Sequence, residues 1–234
     1  QTSGSISVFA AFPNLSTLYL NLTQASGDIS ALSSLTGLAA LDAGGTDVSG
    51  SLASLSALSK LQYLNLGETQ VSGSLSPLAS ITGLYTLNLY NTGVGGDISP
   101  LSAMTDMSYL ELGETDVSGG IGALSSLSKL QYIGLNDTQV TGTLASLASL
   151  TSVTSLYLYN TNISGAVSYL SRLADMQNLQ LGGTKVSGTL SSLAGMTKLA
   201  TLGLTGTSVT GSIQSLYNLA DIKELYLYNT QIAG

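Results

Sequence analysis

Apolar residues recur along this chain at intervals of three and then of two. In 52–74, LASLSALSKLQYLNLGETQVSGS, leucine stands at 52, 55, 58, 61 and 64, then at 66, and Val71 closes the set. An amphipathic α-helix drifts between spacings of three and four. A strict three instead predicts 3₁₀ or extended backbone with one side always turned inward. The step from Leu64 to Leu66 has the period of a strand, so each such segment is expected to carry one short strand. LNLGETQV then turns the chain, and Gly73 falls where a Cβ would clash or where φ is positive.

The same segment repeats without a gap. Threonine stands every 23 residues from Thr23 to Thr230, and a glycine follows each four positions later, from Gly27 to Gly234. An unbroken period of this length is the mark of a solenoid, in which a single repeat cannot bury its apolar side alone and stacking supplies the core. The expected organisation is one domain, 1–234, of ten 23-residue repeats starting at Ile6. Neither end carries a polar cap, so the chain is expected to be part of a longer array with apolar faces open at Ile6 and Ile232. A longer period also runs through it. LYNT recurs at 89–92, 158–161 and 227–230, which groups the repeats in threes near 29–97, 98–166 and 167–234.

LQYLNLGETQV matches L-x-x-L-x-L-x-x-N-x-L with threonine for asparagine, and the VSG and Leu/Ile that follow are similar to L-x-G-x-I-P. On these residues the chain resembles the leucine-rich repeat family, in its plant-type form but without the proline. The resemblance covers Ile6 to Gly234. It implies a horseshoe or superhelix with a parallel β-sheet on the concave face, 3₁₀ or extended segments on the convex face, and little α-helix. In that family the asparagines form a ladder that satisfies loop backbone groups. A threonine hydroxyl has fewer bonds to give, so Thr46, Thr69, Thr92, Thr115, Thr138, Thr161, Thr184 and Thr207 are expected to form an inward structural row.

Composition narrows the functions. Charged residues are only 8% of the chain and the net charge is −7, which leaves little to neutralise phosphates and argues against nucleic acid. Serine and threonine number 62 and take over the solubilising role. No apolar run approaches the ~18 residues of a membrane span. The absence of cysteine and histidine removes thiolate sites and the usual nucleophile–base pairs. Equivalent outward carboxylates such as Asp42 and Glu111 lie three strands apart, about 14 Å at the usual strand spacing, beyond the reach of a glycosidase pair. A non-enzyme without cofactors is expected.

Tyrosine is the strongest functional signal. Ten of the twelve fall at outward strand positions. Of these, Tyr63, Tyr85, Tyr90, Tyr109, Tyr132, Tyr157 and Tyr159 make the candidate ligand face. Tyrosine gives large contact area at low entropic cost and a polar tip, which suits protein or glycan ligands. It also suits a pleated surface for purely structural reasons. Glu111, Glu114, Asp116 and Asp137 form an acidic cluster and a weak Ca²⁺ candidate, since oxygen-rich columns bind that ion but no known calcium motif is present. The expected function is a non-catalytic extracellular or cell-surface recognition or adhesion scaffold. The alternatives are a structural repeat protein that self-assembles through its ends or sides into filaments or a coat, and ice binding by a regular array of hydroxyls. The sequons at Asn14, Asn21, Asn136 and Asn162 permit glycosylation without arguing for it.

Overall fold

The computed structural model describes residues 3–234, and no α-helix occurs among them. The backbone divides into two compact units, Gln1–Ser118 and Gly119–Gly234.

In the first unit each repeat runs through three short pieces. A three-residue strand comes first, as in Tyr63–Asn65, then a five-residue strand, Gln70–Ser74, then a 3₁₀ segment, Ser76–Ser80. The leucines at intervals of three lie in and after the 3₁₀ segments, and Leu52, Leu55, Leu58, Leu61, Leu64 and Leu66 have no exposed surface. Successive repeats pair in parallel with no slip. Ala40–Asp42 pairs with Tyr63–Asn65, and that strand with Thr86–Asn88, residue for residue. We call this the first sheet. The five-residue strands form a second parallel sheet, Asp47–Ser51 beside Gln70–Ser74 beside Gly93–Asp97.

The second unit repeats the plan. Tyr132–Gly134, Ser155–Tyr157, Asn178–Gln180, Thr201–Gly203 and Glu224–Tyr226 form its first sheet. Gln139–Thr143, Asn162–Ala166, Lys185–Thr189, Ser208–Ser212 and Gln231–Ala233 form its second. Its 3₁₀ segments include Leu144–Leu147 and Leu190–Leu193.

Two strands per repeat, rather than the one that the spacing predicts, is the main difference from expectation. The segment x-V-S-G-x alternates with period two, but its single inward residue, such as Val71, gives too short a pattern to announce a strand. The recurring glycine sits inside that strand. Gly73 has φ +102°, and a Cβ there would fall 2.9 Å from Ser51 Oγ of the preceding repeat. Both reasons for glycine therefore hold at once.

The threonine row is buried and its bonds are local. Thr69 Oγ1 donates to the carbonyl of Leu66 at 2.6 Å, and Thr161 Oγ1 to that of Leu158 at 2.6 Å. The same bond recurs from Thr46, Thr92, Thr115, Thr138, Thr184 and Thr207. The turn's amides go to the next repeat, as in Leu66 N to Asn88 O at 2.9 Å and Leu158 N to Gln180 O at 2.8 Å. The carbonyl inside the turn takes the threonine hydroxyl, and in some repeats the threonine amide as well, as in Thr184 N to Leu181 O at 3.3 Å. That is why threonine replaces an amide here without leaving the turn unsatisfied.

The apolar face at Ile6 is covered. Ile6 is 1% exposed and opens a 3₁₀ segment, Ile6–Ala11, whose N-cap Ser5 accepts a bond from Ser7 N. Leu225, in the last repeat, is 38% exposed, and Ile232 is half-buried.

Candidate functional site

The outward side chains of the first sheet form rows because parallel strands in register place equivalent residues side by side, about 4.8 Å apart. In the first unit the row Ala40, Tyr63, Thr86, Tyr109 carries two of the candidate tyrosines. Thr86 lies between Tyr63 and Tyr109, and with Asn88 these residues line a groove of about 280 Å³. Tyr63 is also braced from the other side. Its ring meets Tyr19 edge-on at 6.2 Å and Tyr85 at 6.5 Å. Its hydroxyl donates to Asp42 Oδ2 at 3.2 Å. Burial, and then the Asp42 carboxylate, hold the Tyr63 hydroxyl above its usual pKa of 10.0. Tyr63 therefore stays neutral and can still accept a bond through its oxygen.

The next outward row, Asp42, Asn65, Asn88, Glu111, has a backbone role. Asp42 Oδ1 accepts from Gly44 N, Asn65 Oδ1 from Gly67 N, Asn88 Oδ1 from Tyr90 N, and Glu111 Oε1 from Gly113 N at 2.8 Å. Asp42 and Glu111 are buried, and Asn65 also bridges to Asp42 at 2.9 Å. These carboxylates cap turns, so their chemistry is already committed.

Beyond the strand lies a column in left-handed backbone. Glu68 (φ +57°), Asn91 (+49°) and Glu114 (+55°) in the first unit stand where other repeats have Gly45, Gly183 and Gly206. Asp137 (+54°) and Asn160 (+56°) hold the equivalent places in repeats of the second unit. Asparagine, aspartate and glycine tolerate this conformation best, so the oxygen-rich column is in large part a backbone requirement. Glu114 accepts the Tyr90 hydroxyl at 2.5 Å, while Asp137 accepts from Asn160 Nδ2 at 2.8 Å and Asn136 Nδ2 at 3.2 Å. Asp116 is exposed on the second sheet's face instead. Among the described residues no three His, Cys, Asp or Glu side chains converge to hold a metal ion.

In the second unit Tyr132 and Tyr157 stack, with ring centroids 5.4 Å apart. Tyr159 walls a larger groove of about 340 Å³ together with Tyr226 and Tyr228. Four glycines, Gly182, Gly183, Gly203 and Gly206, line it too. The floor of this groove has no signal in the tyrosine pattern, because it is formed where side chains are lacking. Tyr169 and Tyr217, exposed, belong to the 3₁₀ side and to neither groove.

No family model matches the sequence, and no curated protein does. Solved structures match throughout. The leucine-rich repeat ectodomain of an Arabidopsis thaliana membrane receptor kinase, in complex with Casparian strip integrity factor 2, superposes with TM-score 0.82 at 23% identity, over 98% of this chain and 32% of that one. An internalin from Listeria monocytogenes gives 0.78 at 27% identity, over 98% and 66%. The chain has the leucine-rich repeat fold. A plant ice-binding protein shares it, with TM-score 0.78 at 22% identity over 94% of this chain and 73% of that one. The leucine-rich repeat chain spans 32% to 47% of the length of the first three plant receptor chains it matches. Among its described residues no helix is long and apolar enough to cross a membrane.

Proposed function

We propose that the protein is a non-catalytic extracellular or cell-surface recognition scaffold, and that a protein or glycan ligand lies across the first sheet. The observation that carries this reading is the tyrosine-walled groove on that sheet, found in each unit. In one, Tyr63 and Tyr109 flank Thr86; in the other, Tyr159, Tyr226 and Tyr228 surround a floor of glycines. In the first of these, Tyr63 is braced by Tyr19 and Tyr85, so little of its side-chain freedom remains to be lost on binding. Plant receptor ectodomains of the same fold are known in complex with peptide hormones, which supports the recognition reading for this chain. The test is a screen of wild-type protein on arrays of glycans and of peptides. Tyr63→Ser with Tyr109→Ser, and Tyr159→Ser with Tyr228→Ser, should keep the circular dichroism spectrum, and at least one of the two pairs should weaken the strongest hit at least tenfold. Undiminished binding by both double variants places recognition elsewhere.

A second reading rests on the second sheet. Its outward positions carry hydroxyls, some of them paired across strands, as Ser51 with Ser72, Ser187 with Ser208 and Thr189 with Thr210. Several are held in place by the preceding repeat: Thr141 Oγ1 donates to Gly119 O at 3.2 Å, and Ser164 Oγ to Gly142 O at 3.1 Å. Ordered hydroxyls about 4.8 Å apart across strands are a surface that can template water, and one protein of this fold binds ice. Against it, Gly95, Asp97 and Ala166 interrupt the rows. Ice recrystallisation inhibition by the wild type, lost in Thr141→Lys with Thr143→Lys, would favour this reading over the first.

A further inference from the structure

We infer that the groove of the second unit is a subsite for a neutral saccharide, an assignment that rests on the recognition reading above. Its walls and floor come from one row of the first sheet and its flanks. Tyr159, Gly182, Thr205 and Tyr228 occupy equivalent places in four successive repeats. Tyr159 and Tyr228 are 69 residues apart, three repeats, and thus about 14 Å apart across the sheet. Between them Gly182 has no side chain, and in the adjoining row Gly203 makes room for the Gln180 amide. The trough is therefore two strands wide and bounded by aromatic rings, which matches the width of one or two pyranose rings with their flat C–H faces against tyrosine.

The polar groups point the same way. The Gln180 amide lies across Gly203, where an added Cβ would collide with Oε1, and Asn160 Oδ1 lies 2.5 Å from where a Cβ of Gly183 would sit. Each terminal amide can both donate and accept. Thr205 Oγ1 is buried and has no hydrogen-bond partner. An orphaned buried hydroxyl costs stability, and it is the one such side-chain atom among the described residues. Thr205 is itself a lining residue, so this unused donor and acceptor belongs to the groove. None of the ten lining residues is charged. A phosphate, a carboxylated sugar or a metal ion would find no counter-charge here. Aromatic rings, amides and one unpaired hydroxyl around an uncharged trough suit a ligand that is itself uncharged, ringed and rich in hydroxyls.

The experiment uses the full chain on one array that carries neutral oligosaccharides, uronate and sulfated oligosaccharides, and peptides. Four proteins are compared: wild type, Tyr228→Ser, Thr205→Val and Tyr63→Ser. Tyr228 is 66% exposed, so its loss leaves the fold intact. Thr205→Val removes only an unpaired hydroxyl, and its melting temperature should equal or exceed the wild type's. The expected result is binding to neutral oligosaccharides, reduced at least tenfold in Tyr228→Ser and about tenfold in Thr205→Val. Binding only to charged glycans or peptides, lost in Tyr63→Ser but kept in the other two, would overturn the saccharide subsite and leave the recognition reading standing. No binding to any probe, or binding unchanged in all three variants, would overturn both.

Discussion

The threonine row offers the sharpest test of the structure's energetics. Thr161 is 5% exposed and donates its hydroxyl to the Leu158 carbonyl at 2.6 Å. Thr161→Val keeps the shape and removes the donor, leaving a buried carbonyl short of a partner. That costs about 1–3 kcal/mol. Thr161→Ser keeps the donor and removes one buried methyl, about 0.8 kcal/mol. Valine should therefore be the worse substitution, against the usual preference of an apolar interior. Thr138 makes the same bond to Leu135 at 2.6 Å. Each bond closes within its own repeat, so Thr138→Val and Thr161→Val share no hydrogen-bond partner; standing about 4.8 Å apart they can couple only through packing, and a coupling of no more than about 0.5 kcal/mol is expected. Urea unfolding followed by far-ultraviolet circular dichroism gives the four energies, of the three single variants and the double valine variant, from one linear extrapolation each. A valine variant as stable as wild type, or serine worse than valine, refutes the hydrogen-bond argument. Strong coupling between the two sites would show a ladder running from repeat to repeat instead.

Further outcomes follow from other positions. Leu112, with no exposed surface, should cost about 2–5 kcal/mol when replaced by alanine, and a midpoint shift worth under ~1 kcal/mol would mean that the site collapses freely. Leu22 sits in left-handed backbone at φ +60° and is 85% exposed, so Leu22→Asn should stabilise by about 1 kcal/mol; a lower melting temperature counts against strain there. Asp28 and Asp97 accept from Ser30 N and Ser99 N, and chiefly the hydrogen bonds to Ser30 and Ser99 lower their pKa below 3.8. With the folded pKa depressed, their contribution is complete above 3.8 and fades as pH falls through the lowered value. The stability gap between wild type and Asp28→Ala with Asp97→Ala should therefore narrow in acid, and a gap that widens contradicts the sign.

The parts of this molecule that the sequence discloses are those set by periodic burial. Leucines three apart and then two apart give the 3₁₀ side and the first strand, because inward positions must be apolar at every pass. The second strand has one inward residue per repeat, and its outward serines and glycines look like those of a loop. It becomes a sheet only through its neighbours in the stack. Of the candidate tyrosines, Tyr63, Tyr109, Tyr132 and Tyr157 lie in strands of the first sheet, whereas Tyr85, Tyr90 and Tyr159 flank such strands. Which of them face a groove was not legible in the sequence, since that depends on what the adjoining repeats lack: Thr86 between Tyr63 and Tyr109, Gly182 and Gly203 beside Tyr159. Two of the Ca²⁺ candidates, Glu114 and Asp137, stand where other repeats carry asparagine or glycine with positive φ. Positive φ was the information missing, and a single sequence cannot separate a backbone demand from a binding demand when asparagine, aspartate and glycine serve both.

The claim that the first sheet is the recognition face is tested most directly by hydroxyl-radical footprinting of the tyrosines, with and without the strongest hit from the array. Tyr169 and Tyr217 are 48% and 87% exposed on the 3₁₀ side and serve as internal controls. The account predicts protection of first-sheet tyrosines, at Tyr63 and Tyr109 or at Tyr159 and Tyr228, with Tyr169 and Tyr217 labelled equally in both states. Protection of Tyr169 or Tyr217 with the first-sheet tyrosines unchanged would contradict it.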